Sequence, residues 1–394
     1  MTRLVKPISV MPFIILGLFG LYTLELGVVG ILPLIVERYG VSIAQAGLLM
    51  SLFALVVAAS GPFVVLLSSR GDRKKILIGA LFCFSLCSVL SAYAPNYSTL
   101  MALRVIPAVL HPAFFSAAFA AAVSLYPKER ATHATTMAFV GTTLGLVFGI
   151  PLTTLLADLV SYEAAILFCA GATLVAGLGL MIQLPSQSTG RPADFASQLV
   201  ILRRPSVWLA IVATVLVFTT KFAVYSYAAE LLRERNGMDA RTISVMLLIF
   251  GFGGMSGNLL AGRLLGSYPV ATVVAFPVLL SVAYAILYAF GSAPLISMSL
   301  IVFIWGAVHT SGMVITQTWL TNAAPEAHEF ATSLYVSFAN AGIAIGAWLG
   351  GISIETYGAT GVIGCGLAFA GLSLVAILLK AVLYRGTAGR VVMA

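Results

Sequence analysis

Twelve runs of roughly twenty apolar residues follow one another along this chain, and no other feature limits its fold as much. They lie at 11–36, 45–68, 75–94, 98–123, 134–157, 162–184, 206–231, 241–265, 270–290, 294–320, 327–353 and 360–384. In lipid no water satisfies backbone N–H and C=O groups, so a spanning segment must be a helix or part of a closed barrel. Barrel strands would alternate over segments of about ten residues, and these runs do not. With 60% hydrophobic and 9% charged residues, the chain is far from a soluble domain, where about 25% are charged. The first run exceeds a signal-peptide core, lacks a small-residue cleavage site and carries Glu25, so it is expected to be retained.

The net charge of +8 would fit a nucleic-acid binder, but its placement describes topology instead. Twelve crossings put both termini on one side. Of the 21 Lys and Arg, that side holds 15: Arg3, Lys6, Arg70, Arg73, Lys74, Lys75, Lys128, Arg130, Arg191, Arg203, Arg204, Arg263, Lys380, Arg385 and Arg390. The other side holds 4 (Arg38, Arg233, Arg235, Arg241), and Arg104 and Lys221 lie inside runs. The positive-inside rule makes the first side, with both termini, cytoplasmic. Localisation in a bacterial inner membrane is expected, with the bilayer as partner and no nucleic acid. The four cysteines all fall inside apolar runs and match neither a disulfide framework nor a zinc spacing. No cofactor or metal is expected, and the chain is read as a monomer.

The longest polar stretch, 185–205, reads as a cytoplasmic linker between six-helix bundles at 1–184 and 206–394. A weak repeat supports the division. Gly141, Gly145 and Gly149 in the fifth run match Gly342, Gly346 and Gly350 in the eleventh, and Ser60-Gly61 matches Ser256-Gly257. Small residues at this spacing let helix backbones approach closely in lipid. The expected fold is an all-α membrane protein of twelve transmembrane helices in two pseudo-symmetric six-helix bundles.

A charge at bilayer depth is costly, rare and usually functional. Glu25 sits halfway along the first run, Arg104 and His111 in the fourth, Lys221 in the seventh and His309 in the tenth. Arg104 and His111 are two helical turns apart and share a face, as do Lys221 with Tyr225 and Trp305 with His309 at four-residue spacing. Glu25 is the expected proton carrier, with Lys221 and Arg104 tuning it. Positions 25 and 221 differ by 196, as do Gly61 and Gly257, which makes Lys221 the expected symmetry counterpart of Glu25 and its ion-pair partner in one state, released when Glu25 is protonated. Tyr22, Arg104, His111, Lys221, Tyr225, Trp305, His309 and Asn340 form the expected substrate-binding set.

Several local patterns resemble the major facilitator superfamily, and within it the twelve-span drug:proton antiporters. SSRGDRKK (68–75) resembles the superfamily's basic loop motif through Arg70, Arg73 and Lys74, with Ser69 in place of the aspartate. GTTLGLVFGIP (141–151) resembles the exporters' antiporter motif, carried by Gly141, Gly145, Gly149 and Pro151. TLELGVVGILPLI around Glu25 is similar to the sugar-, purine- and chloramphenicol-efflux branch. The resemblance implies that the first, fourth, seventh and tenth spans line a central cavity, and that protons drive export of a small organic solute by alternating access. Proton-coupled uptake stays open, as does a transport-inactive sensor. Sugars, nucleosides or purines, and drugs all remain candidate substrates. No zinc-protease, nucleophile-elbow or phosphate-loop motif supports an enzyme.

Overall fold

A computed structural model describes residues 7–68, 71–127, 130–186, 199–290 and 294–384. Among them, eleven helices are long and apolar enough to cross a membrane. The last of these, within His328–Leu383, is too long for one crossing, since a bilayer core of about 30 Å needs only about 20 residues. Gly358 breaks it at φ 62° and ψ −154°, backbone angles that only glycine adopts readily, and so gives two crossings. Among the described residues the chain is thus all-helical with twelve crossing segments, in line with the apolar runs.

Contacts divide the chain into two compact units, one of residues 1–39 and 59–193, the other of 40–58 and 194–394. The first unit contains α1 (Pro7–Leu26), α2 (Val28–Tyr39), α4 (Arg73–Ala92), α5 (Tyr97–Ala108), α6 (His111–Ser124), α7 (Ala131–Leu144), α8 (Ile150–Leu159) and α9 (Tyr162–Gln183). The second contains α10 (Pro205–Tyr225), α11 (Ala228–Asn236), α12 (Ala240–Ser267), α13 (Pro269–Ala289), α14 (Leu295–Thr321) and α15 (His328–Leu383). Helix α3 (Ile43–Ser68) is shared by the two. Its N-terminal half packs in the second unit, where the Ser51 hydroxyl donates to the Ala344 carbonyl at 2.7 Å. Most of the expected linker, residues 187–198, lies outside the described residues, as does Arg70.

Polar caps punctuate these apolar helices. Asp72, Asn96, Ser161 and Asp239 precede α4, α5, α9 and α12, and each side chain accepts from a first-turn N–H. Four of the expected helices are interrupted, the seventh at Ser226 and Tyr227, between α10 and α11. The first breaks at Gly27, between α1 and α2. The fourth breaks at Val109 and Leu110, flanked by Pro107 and Pro112, which lack the N–H a continuous helix needs. The fifth passes through a π-helical turn, Gly145–Gly149, before α8 begins at Ile150 with Pro151 in its first turn.

The glycine triplets explain how each unit closes on its first helix. In the first unit, α1 packs against α7 and α9. A Cβ at Gly141 would collide with the Ile15 carbonyl, one at Gly145 would lie 2.7 Å from the Tyr22 Cβ, and one at Gly149 would collide with Thr23. In the second, α10 packs against α15, and the seats are Val215 and Phe218 for Gly342, Thr219 for Gly346 and Ala223 for Gly350. Ile15 and Thr23 therefore match Val215 and Ala223, a register of 200 residues rather than the 196 read from the second and eighth runs. In that register Tyr225, not Lys221, is the counterpart of Glu25. An offset taken from one helix pair does not carry to another when connecting loops differ in length.

Candidate functional site

In the first unit, α1 brings Glu25 to its C-terminal end, just before the break at Gly27. Glu25, Arg104 and His111 are all buried there. Within this unit the side-chain partner of Glu25 is His111, whose Nε2 lies 3.1 Å from Glu25 Oε2. Arg104 takes the backbone instead, its two terminal nitrogens donating to the carbonyls of Leu24 and Glu25 at 3.1 Å each. Carbonyls at a helix end lack intrahelical donors, so a two-pronged guanidinium fits the site. The break between α5 and α6 separates Arg104 from His111, yet both still converge on the end of α1. Arg104 fixes the main chain there, and His111 meets the side chain.

Aromatic rings border this pair. Phe115 lies parallel to the His111 imidazole at 6.3 Å between centroids, and Tyr22 lies 6.4 Å from Phe115. Phe119 and Phe139 extend the row.

In the second unit, Lys221 is fully buried on α10 and its Nζ has no hydrogen-bond partner among the described residues. The ammonium lies 4.4 Å from the Phe218 ring centroid. One turn on, Tyr225 stacks on Phe250 of α12 at 4.7 Å. His309 lies 4.8 Å from the Tyr225 ring, and Trp305 meets Phe250 edge-on at 4.9 Å. Lys221, Tyr225, Trp305 and His309, all in the expected substrate-binding set, lie in one unit with Phe218, Phe222 and Phe250, which that set did not include. One more phenylalanine in an apolar run carries no signal of its own. Asn340 on α15 donates to the Val336 carbonyl of its own helix at 2.9 Å, while its Oδ1 has no partner among the described residues. Asn340 thus bonds within its helix.

Arg73 and Lys74 open α4, where the Asp72 carboxylate accepts from the Lys74 backbone N–H at 2.9 Å. Here the loop aspartate serves as a helix cap.

The superfamily model described as Major Facilitator Superfamily matches residues 14–328 and 211–391. The chain belongs to the major facilitator superfamily. It is 32% identical over 372 residues to "Inner membrane transport protein YdhP" of Escherichia coli O157:H7, covering 93% of this chain and 94% of that protein. It is 28% identical to a "Probable sugar efflux transporter" of Mannheimia succiniciproducens, over 84% of this chain and 83% of the relative. Among solved structures, a bacterial homologue of the human lysosomal transporter Spinster superposes with a TM-score of 0.76. That pair is 15% identical, with 98% of each chain covered, which speaks for the fold alone. The chain is a multi-pass membrane transporter of the inner-membrane type.

Proposed function

We propose that this transporter exports a small organic solute in exchange for protons, with Glu25 as the proton-carrying group. One observation carries the reading: a buried carboxylate at mid-membrane depth is paired with a titratable imidazole rather than a permanent cation. A carboxylate locked to an arginine side chain would stay charged through a cycle. Arg104 donates to the backbone carbonyls of Leu24 and Glu25, while the side chain that meets the Glu25 carboxylate at hydrogen-bond distance is the His111 imidazole. Alternating exposure of that pair to the two sides of the membrane would then couple proton entry to solute movement.

The Lys221 cluster supports a solute site in the second unit. Its ammonium lacks an acceptor among the described residues and lies near the Phe218 and Phe222 rings, and Phe222 in turn meets Tyr225 and His309. A hydroxylated or anionic solute would offer the missing acceptor, which favours sugars or nucleosides over lipophilic cations. The relative described as a probable sugar efflux transporter points the same way for both direction and class.

Proteoliposomes with a pH-sensitive dye inside test the proposal. Addition of a sugar, nucleoside or neutral drug should move protons in the wild type and not in Glu25→Gln. Proton movement that persists in Glu25→Gln removes Glu25 from the mechanism.

A further inference from the structure

A second buried lysine stands apart from both clusters. Lys380 occupies the last turn of α15, the end assigned to the cytoplasm by the basic-residue bias, and only 7% of it is exposed. Its position beside the basic tail suggests a solvated charge, but the side chain is buried inside the second unit. Its Nζ makes one hydrogen bond, to the Trp319 carbonyl at 3.0 Å, and lies 4.1 Å from the Trp319 ring centroid. An ammonium carries three donors, and no ion pair reaches this one among the described residues. Trp319 is 8% exposed, and its indole N–H has no acceptor among the described residues. Together they line a cavity of about 50 Å³ with Ser206, Thr318, Asn322 and Tyr384.

We infer that this cavity binds a phosphate-bearing anion. Lysine and the indole N–H can only donate, so the occupant must accept. Water accepts, but it leaves the ammonium without a counter-charge, and a buried cation without one is costly. A single water needs about 10–15 Å³ by this measure, so the cavity holds several waters or the oxygens of one tetrahedral oxyanion. Ser206 and Pro269 belong to the first turns of α10 and α13, whose partial positive charge favours an anion at the same place. The occupant is a lipid headgroup phosphate or a free phosphate, recognised by the same donors.

The test uses the full chain purified in detergent at fixed ionic strength, titrated separately with inorganic phosphate, short-chain phosphatidylglycerol and short-chain diacylglycerol. The expected result is a saturable rise in Tm with at least one phosphate-bearing probe and none with diacylglycerol. Response to phosphatidylglycerol alone identifies a headgroup; response to phosphate as well identifies a site open to free anions. Lys380→Met removes the buried charge while keeping the apolar stem, and should abolish the response. Trp319→Phe keeps the ring and removes one donor. It should weaken half-saturation about three- to tenfold, the equivalent of one hydrogen bond. No saturable response to either phosphate probe overturns the inference. So does an unchanged response in Trp319→Phe, which decides the matter even if Lys380→Met does not fold.

Discussion

Glu25 Oε2 lies 3.1 Å from His111 Nε2, with both side chains buried beside a break in the first helix. Two buried polar groups at this separation depend on each other for a partner, so removing either leaves the other uncompensated. The break at Gly27 places the carboxylate at a helix end, and Arg104 ties the adjacent carbonyls. Side-chain chemistry and backbone restraint are thereby assigned to different residues.

Glu25→Gln is expected to abolish solute accumulation driven by a pH gradient while leaving solute exchange intact. The amide keeps the shape and a hydrogen bond to His111 but cannot carry the proton. Counterflow and pH-driven accumulation in the same proteoliposomes check this; full accumulation by the variant would show that the proton travels elsewhere.

Glu25 and His111 should also be energetically coupled. Truncating one partner of a buried pair leaves the other group without compensation. In a cycle of Glu25→Gln, His111→Ala and the double variant, unfolding free energies should deviate from additivity by about 0.5–3 kcal/mol. Additive effects within a few tenths of a kcal/mol would mean that the contact contributes nothing to stability.

Arg104→Lys should behave like a loss rather than a conservative change. One ammonium is a compact donor and does not reproduce the two parallel bonds to Leu24 and Glu25. A hydrogen bond from a charged group contributes about 1.5–3 kcal/mol, so Tm should fall measurably and pH-driven transport with it. Wild-type stability and transport in Arg104→Lys would show that the backbone anchor is dispensable.

The twelve crossings, the buried ionisable residues and the glycine triplets were legible because each leaves a one-dimensional mark: run length, a charge among apolar residues, a four-residue spacing. The Glu25–His111 pair was not. It depends on where α6 starts after the break at Leu110, and no spacing within one helix encodes a distance between two. The 196-residue offset that favoured Lys221 was local to one helix pair. Lys380 was misplaced for a related reason, since a lysine at the end of an apolar run looks the same whether it meets solvent or the Trp319 carbonyl.

The glycine seats make a prediction about packing. A Cβ at Gly346 would lie 2.6 Å from the Thr219 carbonyl oxygen, whereas one at Gly364 or Gly371 would meet nothing within 4 Å. Gly346→Ala should cost about 1–3 kcal/mol by forcing α10 and α15 apart. Gly364→Ala and Gly371→Ala, in the same long helix, should be neutral or slightly stabilising, because alanine has the better helix propensity. Thermal unfolding in detergent compares the three, and equal behaviour would mean that close helix approach is not what the triplet supplies.

Lys221 sets the expectation for selectivity. Its Nζ is fully buried in the second unit, over the Phe218 ring, with no acceptor among the described residues. A solute hydroxyl or carboxylate beside it supplies the acceptor, while a lipophilic cation supplies none and is repelled by the ammonium. Sugars, nucleosides or neutral antibiotics should therefore bind better than ethidium. One hydrogen bond to a charged group is worth about 1.5–3 kcal/mol, so Lys221→Met should weaken the preferred solute roughly tenfold or more. The same change should narrow the gap to ethidium, because the repulsive charge is gone. Competition binding on purified protein reads both effects. Micromolar binding of several quaternary cations to the wild type, with none for neutral polyols or nucleosides, would show that Lys221 does not govern recognition.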